Sequence, residues 1–198
     1  MRDASETSER IARTAARQLG TLGVAKLTVA TVAKAADISP GLVHYHFDTK
    51  TGLLRAAAER LAAARLERRE RAIAGFGIEA VDRLRAVLED DVASGEERAW
   101  HDLAALARDD DGIAGCLARH AQSERERWIE RLPPLLASLG AAPAIAPAQL
   151  ATLVTGCLDG LAQALDRGLT AAAFRSAYDG FWLVLIGAGE QRSRAARA

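Results

Sequence analysis

The sequence predicts an all-helical protein of about nine helices, a three-helix N-terminal module followed by a larger helical body. Two observations predict it. Apolar residues recur every three to four positions in almost every segment, the period of a helix with one buried face. Only five prolines interrupt 198 residues, too few to break up that pattern. A chain of this length can form one or two domains with a real core.

The first helix runs from about Glu6 to Leu22, with Ile11, Ala15, Leu19 and Leu22 inward and Arg10, Arg13 and Arg17 outward. Gly23 ends it. A second helix is capped by Thr28 and turns Val29, Val32, Ala33 and Ala36 to the buried side. Asp37 stands at the following turn, where Asp is among the few residues that tolerate a left-handed backbone. Ser39 is then a good N-cap, and Pro40 sits at the first helical position, where its missing N–H costs nothing. The third helix is therefore short, from about Pro40 to His46. Val43 and Phe47 can anchor one face of it, which leaves Gly41, Leu42, Tyr45 and His46 outward and His44 at the flank. Helix, tight turn, short helix is a helix-turn-helix.

Asp48 is expected to cap the fourth helix, which puts Lys50 in its first turn. The helix dipole disfavours a cation there by roughly 0.3–1 kcal/mol. Lys50 makes sense at that place if a phosphate meets both it and the backbone N–H groups. An exposed lysine that tolerates the small penalty is the plainer alternative.

At these residues a family resemblance becomes specific. Thr28, then Asp37-Ile38-Ser39-Pro40-Gly41-Leu42-Val43-His44-Tyr45-His46-Phe47, Lys50 and Leu53 resemble the DNA-binding signature of the TetR family of bacterial repressors, most of all its BetI-type branch. Two positions depart from it. The family's usual turn Gly is Asp37, and its usual phosphate-binding Tyr is His44, which can still donate a hydrogen bond. The resemblance covers essentially the whole chain and is strongest for residues 28–53. It implies DNA-binding roles for Thr28, Ser39, Pro40, Gly41, Leu42, His44, Tyr45, His46 and Lys50. It also implies that the last two helices dimerise.

Bulk properties fit this division. Formal charge is zero overall, but residues 1–60 carry nine Lys/Arg against six Asp/Glu, and all three lysines lie in the first 50 residues. A modestly basic head on a neutral-to-acidic body suits a DNA-binding module joined to a different one. No 18-residue apolar run and no signal peptide are present, so a cytoplasmic protein without membrane contact is expected. Cys116 and Cys157 are lone thiols without metal-type spacing.

The rest of the chain keeps the helical period. The fourth helix, from Asp48 to about Ala74, buries Leu53, Leu54, Ala57 and Leu61, then turns highly charged through Arg65-Leu66-Glu67-Arg68-Arg69-Glu70-Arg71. Gly75-Phe76-Gly77 breaks it. The boundary between modules is expected near residue 50, giving domains 1–50 and 51–198. Helices follow at Ile78–Ala93, Glu96–Arg108 and Ile113–Leu132. Pro133-Pro134 is expected to kink or end the seventh, leaving 135–139 as a stub, and Ala141 to Pro147 reads as a loop. Leu150, Leu153, Val154, Cys157, Leu158, Leu161 and Leu165 then form an apolar stripe beside the small ridge Thr152, Gly156, Gly160 and Ala164. Phe174, Tyr178, Phe181, Trp182, Leu185 and Ile186 form a second, bulky stripe. Two such antiparallel helices could be plain core, or half of a two-fold four-helix dimer interface.

No catalytic, metal or cofactor site stands out. His44 and His46 lie two apart, about 200° around the axis, and cannot chelate. Cys116 and His120 could face each other but lack a third ligand or orienting acid. Trp100, His101, His120 and Trp128 fall on helices that would enclose a central cavity in the family fold; for any one of them ordinary core packing with a wet His edge is the plainer account, while some of them lining a ligand pocket is the alternative. The reading is a non-enzymatic, ligand-responsive transcriptional regulator, a homodimeric repressor released from a palindromic double-stranded DNA operator by a small-molecule inducer. The competing class is a helical small-molecule-binding protein or enzyme whose N-terminus only resembles a DNA reader. A protein–protein adaptor would instead show a monomeric body.

Overall fold

Nine α-helices and one 3-10 turn, without a strand, make up the described residues: α1 (Arg2–Leu22), the turn Val24–Lys26, α2 (Val29–Ala36), α3 (Pro40–Phe47), α4 (Lys50–Ile73), α5 (Gly77–Ala93), α6 (Glu96–Leu106), α7 (Asp111–Ser138), α8 (Pro147–Asp166) and α9 (Ala171–Ala195). The structure is a computed structural model that describes the backbone of residues 2–142 and 145–195 and the side chains of 5–142 and 145–187. Positions 143 and 144 of the expected loop lie outside the described residues.

The chain forms two compact units, Met1–Arg65 with Ala93–His120, and Leu66–Val92 with Ala121–Ala198. The first unit therefore extends past residue 50, for a simple reason. Leu53, Leu54, Ala57 and Leu61 of α4 share one core with Ile11 and Leu19 of α1, Val32 of α2 and Val43 of α3, and α6 adds Ala99 and Leu103. One long and two short helices bury too little alone, and later segments complete their core. Leu22 is more exposed than its helical register suggests, at 36%. Gly95 heads α6 at φ 78°, and a Cβ there would meet the Gly20 carbonyl oxygen at 2.2 Å, so glycine is needed where α1 and α6 meet.

The second unit is built around Leu84 and Leu88 of α5, Trp128 and Leu132 of α7, Val154 and Leu158 of α8, and Phe174, Tyr178 and Trp182 of α9. Tyr178 donates to the Val81 carbonyl at 2.7 Å, and burial pushes its hydroxyl pKa well above the usual phenolic value. Pro133 and Pro134 do not end α7, which continues to Ser138. An internal proline costs about 3 kcal/mol or more. Here Leu132, Leu135 and Leu136 are all buried around the pair, each worth roughly 1.5–3 kcal/mol, so packing outweighs the lost hydrogen bonds.

The charged run of α4 is the larger surprise, because much of it is buried. Arg65 donates to Glu97 at 2.6 Å within the first unit, where both side chains are almost fully enclosed. In the second unit Arg68 makes two bonds to one oxygen of buried Asp91, at 2.8 and 3.2 Å. Arg69 bridges Glu124 at 2.5 Å and Asp159 at 3.0 Å. Burial pulls the Arg69 pKa down, and the two carboxylates more than offset this, so its guanidinium stays charged. Removing one partner of such a group strands charge in the interior. Arg69→Met is therefore expected to cost about 3–5 kcal/mol in urea denaturation, and Arg69→Met/Glu124→Leu to recover part of that loss. A double variant no better than the single one would mean that Glu124 is not held by Arg69.

Candidate nucleic-acid interface

The helix-turn-helix is closed at every junction by its own local chemistry. Thr28 caps α2 reciprocally: its hydroxyl accepts from the Thr31 N–H at 3.1 Å, and the Thr31 hydroxyl accepts from the Thr28 N–H at 2.9 Å. Asp37 adopts the left-handed conformation (φ 53°, ψ 52°), and the Ile38 N–H reaches back to the Ala33 carbonyl at 3.0 Å, which ends α2 with a six-to-one bond. Ser39 then caps α3 by accepting from the Leu42 N–H at 3.2 Å, with Pro40 at the first position.

What α3 buries and displays follows from these caps. Val43 is fully buried and Phe47 half-buried against the first unit's core. On the other side Gly41, His44 and Tyr45 are exposed, with Leu42 and His46 half-buried. Tyr45 stands 77% exposed, its ring edge-on to His46 with centroids 5.1 Å apart. Nδ1 of His44 lies 3.4 Å from the Asp48 carbonyl oxygen. A neutral imidazole that donates there presents its other nitrogen as an acceptor only, whereas a protonated ring donates on both sides.

The junction to α4 differs from expectation. Asp48 does not cap α4; it closes α3, its N–H bonding to the His44 carbonyl at 2.9 Å. Its backbone (φ 46°, ψ −54°) and the short Thr49 N–H to Phe47 carbonyl contact make a γ-turn of the rarer, positive-φ kind, a strained state for a residue with a Cβ. Thr49 is the cap of α4, its hydroxyl accepting from the Gly52 N–H at 3.0 Å. Lys50 is consequently the first helical residue, exposed at the N-terminus of α4. A Cβ on Gly52 would meet the Phe47 carbonyl oxygen at 2.6 Å, so this tight passage needs glycine. In the sequence alone, a glycine three residues into a helix is already a signal for such a close approach.

Of the four residues considered for a ligand cavity, Trp100, His101 and His120 belong to the first unit and Trp128 to the second. Trp100 and His120 pack edge to face in the first unit, centroids 4.7 Å apart, and the Arg65 guanidinium lies 5.3 Å from the Trp100 ring centre. Nδ1 of His101 sits 2.9 Å from the Glu97 carbonyl oxygen. Trp128 belongs to the other unit's core. Cys116 is buried, and its enclosure, then Glu59, raises the thiol pKa, which leaves it a poor nucleophile. Among the described residues no group of three His, Cys, Asp or Glu is arranged to hold a metal ion, and no helix is long and apolar enough to cross a membrane.

A capped helix-turn-helix that displays a small, aromatic face, carried at the head of an all-helical chain, defines the class of DNA-reading helix-turn-helix proteins. Residues 11–57 match the family model described as bacterial regulatory proteins, tetR family. The chain is 36% identical over 81 residues to the HTH-type transcriptional regulator BetI of Stenotrophomonas maltophilia, a match that spans 41% of this chain and 41% of that relative. Among solved structures it resembles a Rhodococcus sp. protein described as a TetR-family transcriptional regulator (TM-score 0.72, 24% identity, covering 92% of this chain and 99% of that one). It also resembles a transcriptional regulator from Saccharomonospora viridis in complex with choline (TM-score 0.66, 20% identity, covering 89% and 93%). At these identities the structural likenesses speak for the fold. The N-terminal helix-turn-helix is thus of the tetR type, and the chain as a whole shares the fold of these solved structures.

Gly52→Ala is expected to lower stability by about 1–3 kcal/mol, because the γ-turn must open to admit the methyl group. Thr51→Ala, one exposed residue away, should stay within about 0.5 kcal/mol of wild type. Equal melting of the two variants would remove the case for a forced approach at this turn.

Proposed function

We propose that the protein is a homodimeric, cytoplasmic transcriptional repressor that binds a palindromic operator and is released from it by a small-molecule inducer. The observation that carries the DNA-binding part is Tyr45, 77% exposed on a short helix whose opposite face, through Val43, is wholly buried. A large aromatic head held out on a twice-capped helix is available to a partner. A helix about two turns long also fits a major groove about 12 Å wide.

In this reading Leu42 and Tyr45 meet base edges and thymine methyls, and Gly41 lets the backbone come close. Thr28, His44 and Lys50 hold phosphates and set orientation, flanked by Ser39, Pro40 and His46. His44 donates to a phosphate most readily when protonated, since Asp48 then keeps its bond as well. The choline bound by the Saccharomonospora viridis protein supports a small-molecule effector for this fold. Effector and operator affinities must then be reciprocally coupled.

The proposed dimer uses the outer faces of α8 and α9. Phe174, Tyr178 and Trp182 of the bulky stripe are buried in the chain's own core, so they are not available to a partner. What stays outward is Leu153 at 57%, Leu183 at 68% and Val184 at 71% exposed, with open space over Gly156 and Gly160. Exposed apolar side chains beside a small-residue ridge suit close helix–helix approach across a two-fold axis.

Operator fragments selected from genomic DNA by the purified protein provide the test. Lys50→Ala should weaken specific and non-specific binding alike and reduce the slope of log affinity against log salt by about 2 per dimer. Tyr45→Ala should weaken specific binding far more than non-specific. Failure to select any sequence, or an unchanged slope together with parallel losses for Tyr45→Ala, would overturn the DNA-binding reading. For the dimer, Leu183→Glu or Gly160→Leu should give folded monomer in light scattering. A folded dimer in both variants places the interface elsewhere.

A further inference from the structure

The second unit carries a surface cleft of about 400 Å³ between the end of α4 and the middle of α5, lined by Arg68, Arg71, Ala72, Arg83, Ala86 and Val87. Its chemistry is lopsided. Three guanidinium groups and three small apolar side chains line it, and no carboxylate does. Two of the arginines are already matched, Arg68 by Asp91 at 2.8 Å and Arg71 by Glu67 at 3.5 Å. Arg83 is different. Its Nε donates to the Ala72 carbonyl at 3.2 Å, in the last turn of α4, and no carboxylate among the described residues pairs with it. That backbone bond fixes the direction of the guanidinium, and its terminal nitrogens lie over Gly75 at the rim, where a Cβ would meet one of them at 2.4 Å. The group is thus oriented before any ligand arrives, which reduces the ordering cost of binding.

From this we infer that the cleft binds an amphiphilic carboxylate: a small apolar body on Ala72, Ala86 and Val87 with its acid group on Arg83, assisted by Arg71. A planar guanidinium matches a carboxylate with two parallel hydrogen bonds, stronger than neutral ones. The apolar floor accounts for the rest of the ligand, because a bare inorganic anion or a nucleic-acid phosphate would leave it unused. A volume of 400 Å³ lies in the range of small-molecule sites. The alternative occupant is a membrane surface, to which exposed Phe76 and Ile78 in the nearby turn could contribute.

Octanoate is a suitable probe, with octanol and octylammonium as controls of equal chain length, titrated calorimetrically into the full chain without DNA. The site is thus tested independently of the operator reading. Octanoate should bind at one per chain, and both controls at least tenfold more weakly. Arg83→Gln should weaken octanoate tenfold or more, and Ala86→Glu should abolish binding. Both substituted residues are exposed, so the fold is preserved, which circular dichroism checks. Octanol binding as tightly as octanoate, or either variant binding like wild type, overturns the assignment. So does Arg83-dependent pelleting with phosphatidylglycerol vesicles that octanoate does not displace, which would make the face a membrane surface.

Discussion

The row of carboxylate-paired arginines on α4, with Arg65 and Arg69 buried and Arg68 half-buried, is the constraint on which the rest of the structure depends. Arg65, Arg68 and Arg69 occupy two successive turns of one helix, and their carboxylates come from α5, α6, α7 and α8. Desolvating such pairs costs nearly what their attraction returns, so they add little net stability over apolar groups of the same shape. They act against wrong packings instead. Any arrangement that separates Arg69 from Glu124 leaves a charge in a low-dielectric interior, at several kcal/mol. Helices that could otherwise slide along smooth apolar faces thereby acquire a definite partner and register.

The helix-turn-helix is ordered on a different principle. Its junctions are closed by neighbours in sequence: Thr28 with Thr31, Asp37 with its left-handed turn, Ser39 with Leu42, Thr49 with Gly52. Each cap contributes about 0.5–2 kcal/mol. Together with Val43 in the core they hold α3 without using its outer face. Tyr45 and His44 therefore remain free for a partner, while the strained turn at Asp48 brings Lys50 to the very start of α4.

Much of this was legible in the sequence where the interactions are short in range. The caps at Thr28 and Ser39, the left-handed Asp37 and the buried side of α3 all follow from residues within four positions of one another. The same logic misjudged two junctions. Asp48 was expected as the cap of α4 because Asp is a common cap, yet the chain needs a sharper reversal, and Thr49 beside Gly52 supplies it. Pro133-Pro134 was expected to interrupt α7, yet Leu132, Leu135 and Leu136 hold the helix through both prolines.

The sequence by itself determined that the chain is helical, where α2 and α3 begin, and which short helix presents an aromatic face, because caps and the 3.6 period depend only on local spacing. The tertiary structure alone decided which charged and bulky side chains are inside. Arg69 meets Asp159 ninety residues later, and Tyr178 meets Val81 ninety-seven residues earlier. A polar residue in an apolar register and an apolar residue on a free face look alike in one dimension. Trp182 and Leu183 are neighbours in the chain, yet one is core and the other is 68% exposed. Only the packing of α9 against the rest of its unit separates them, since successive residues on a helix point about 100° apart.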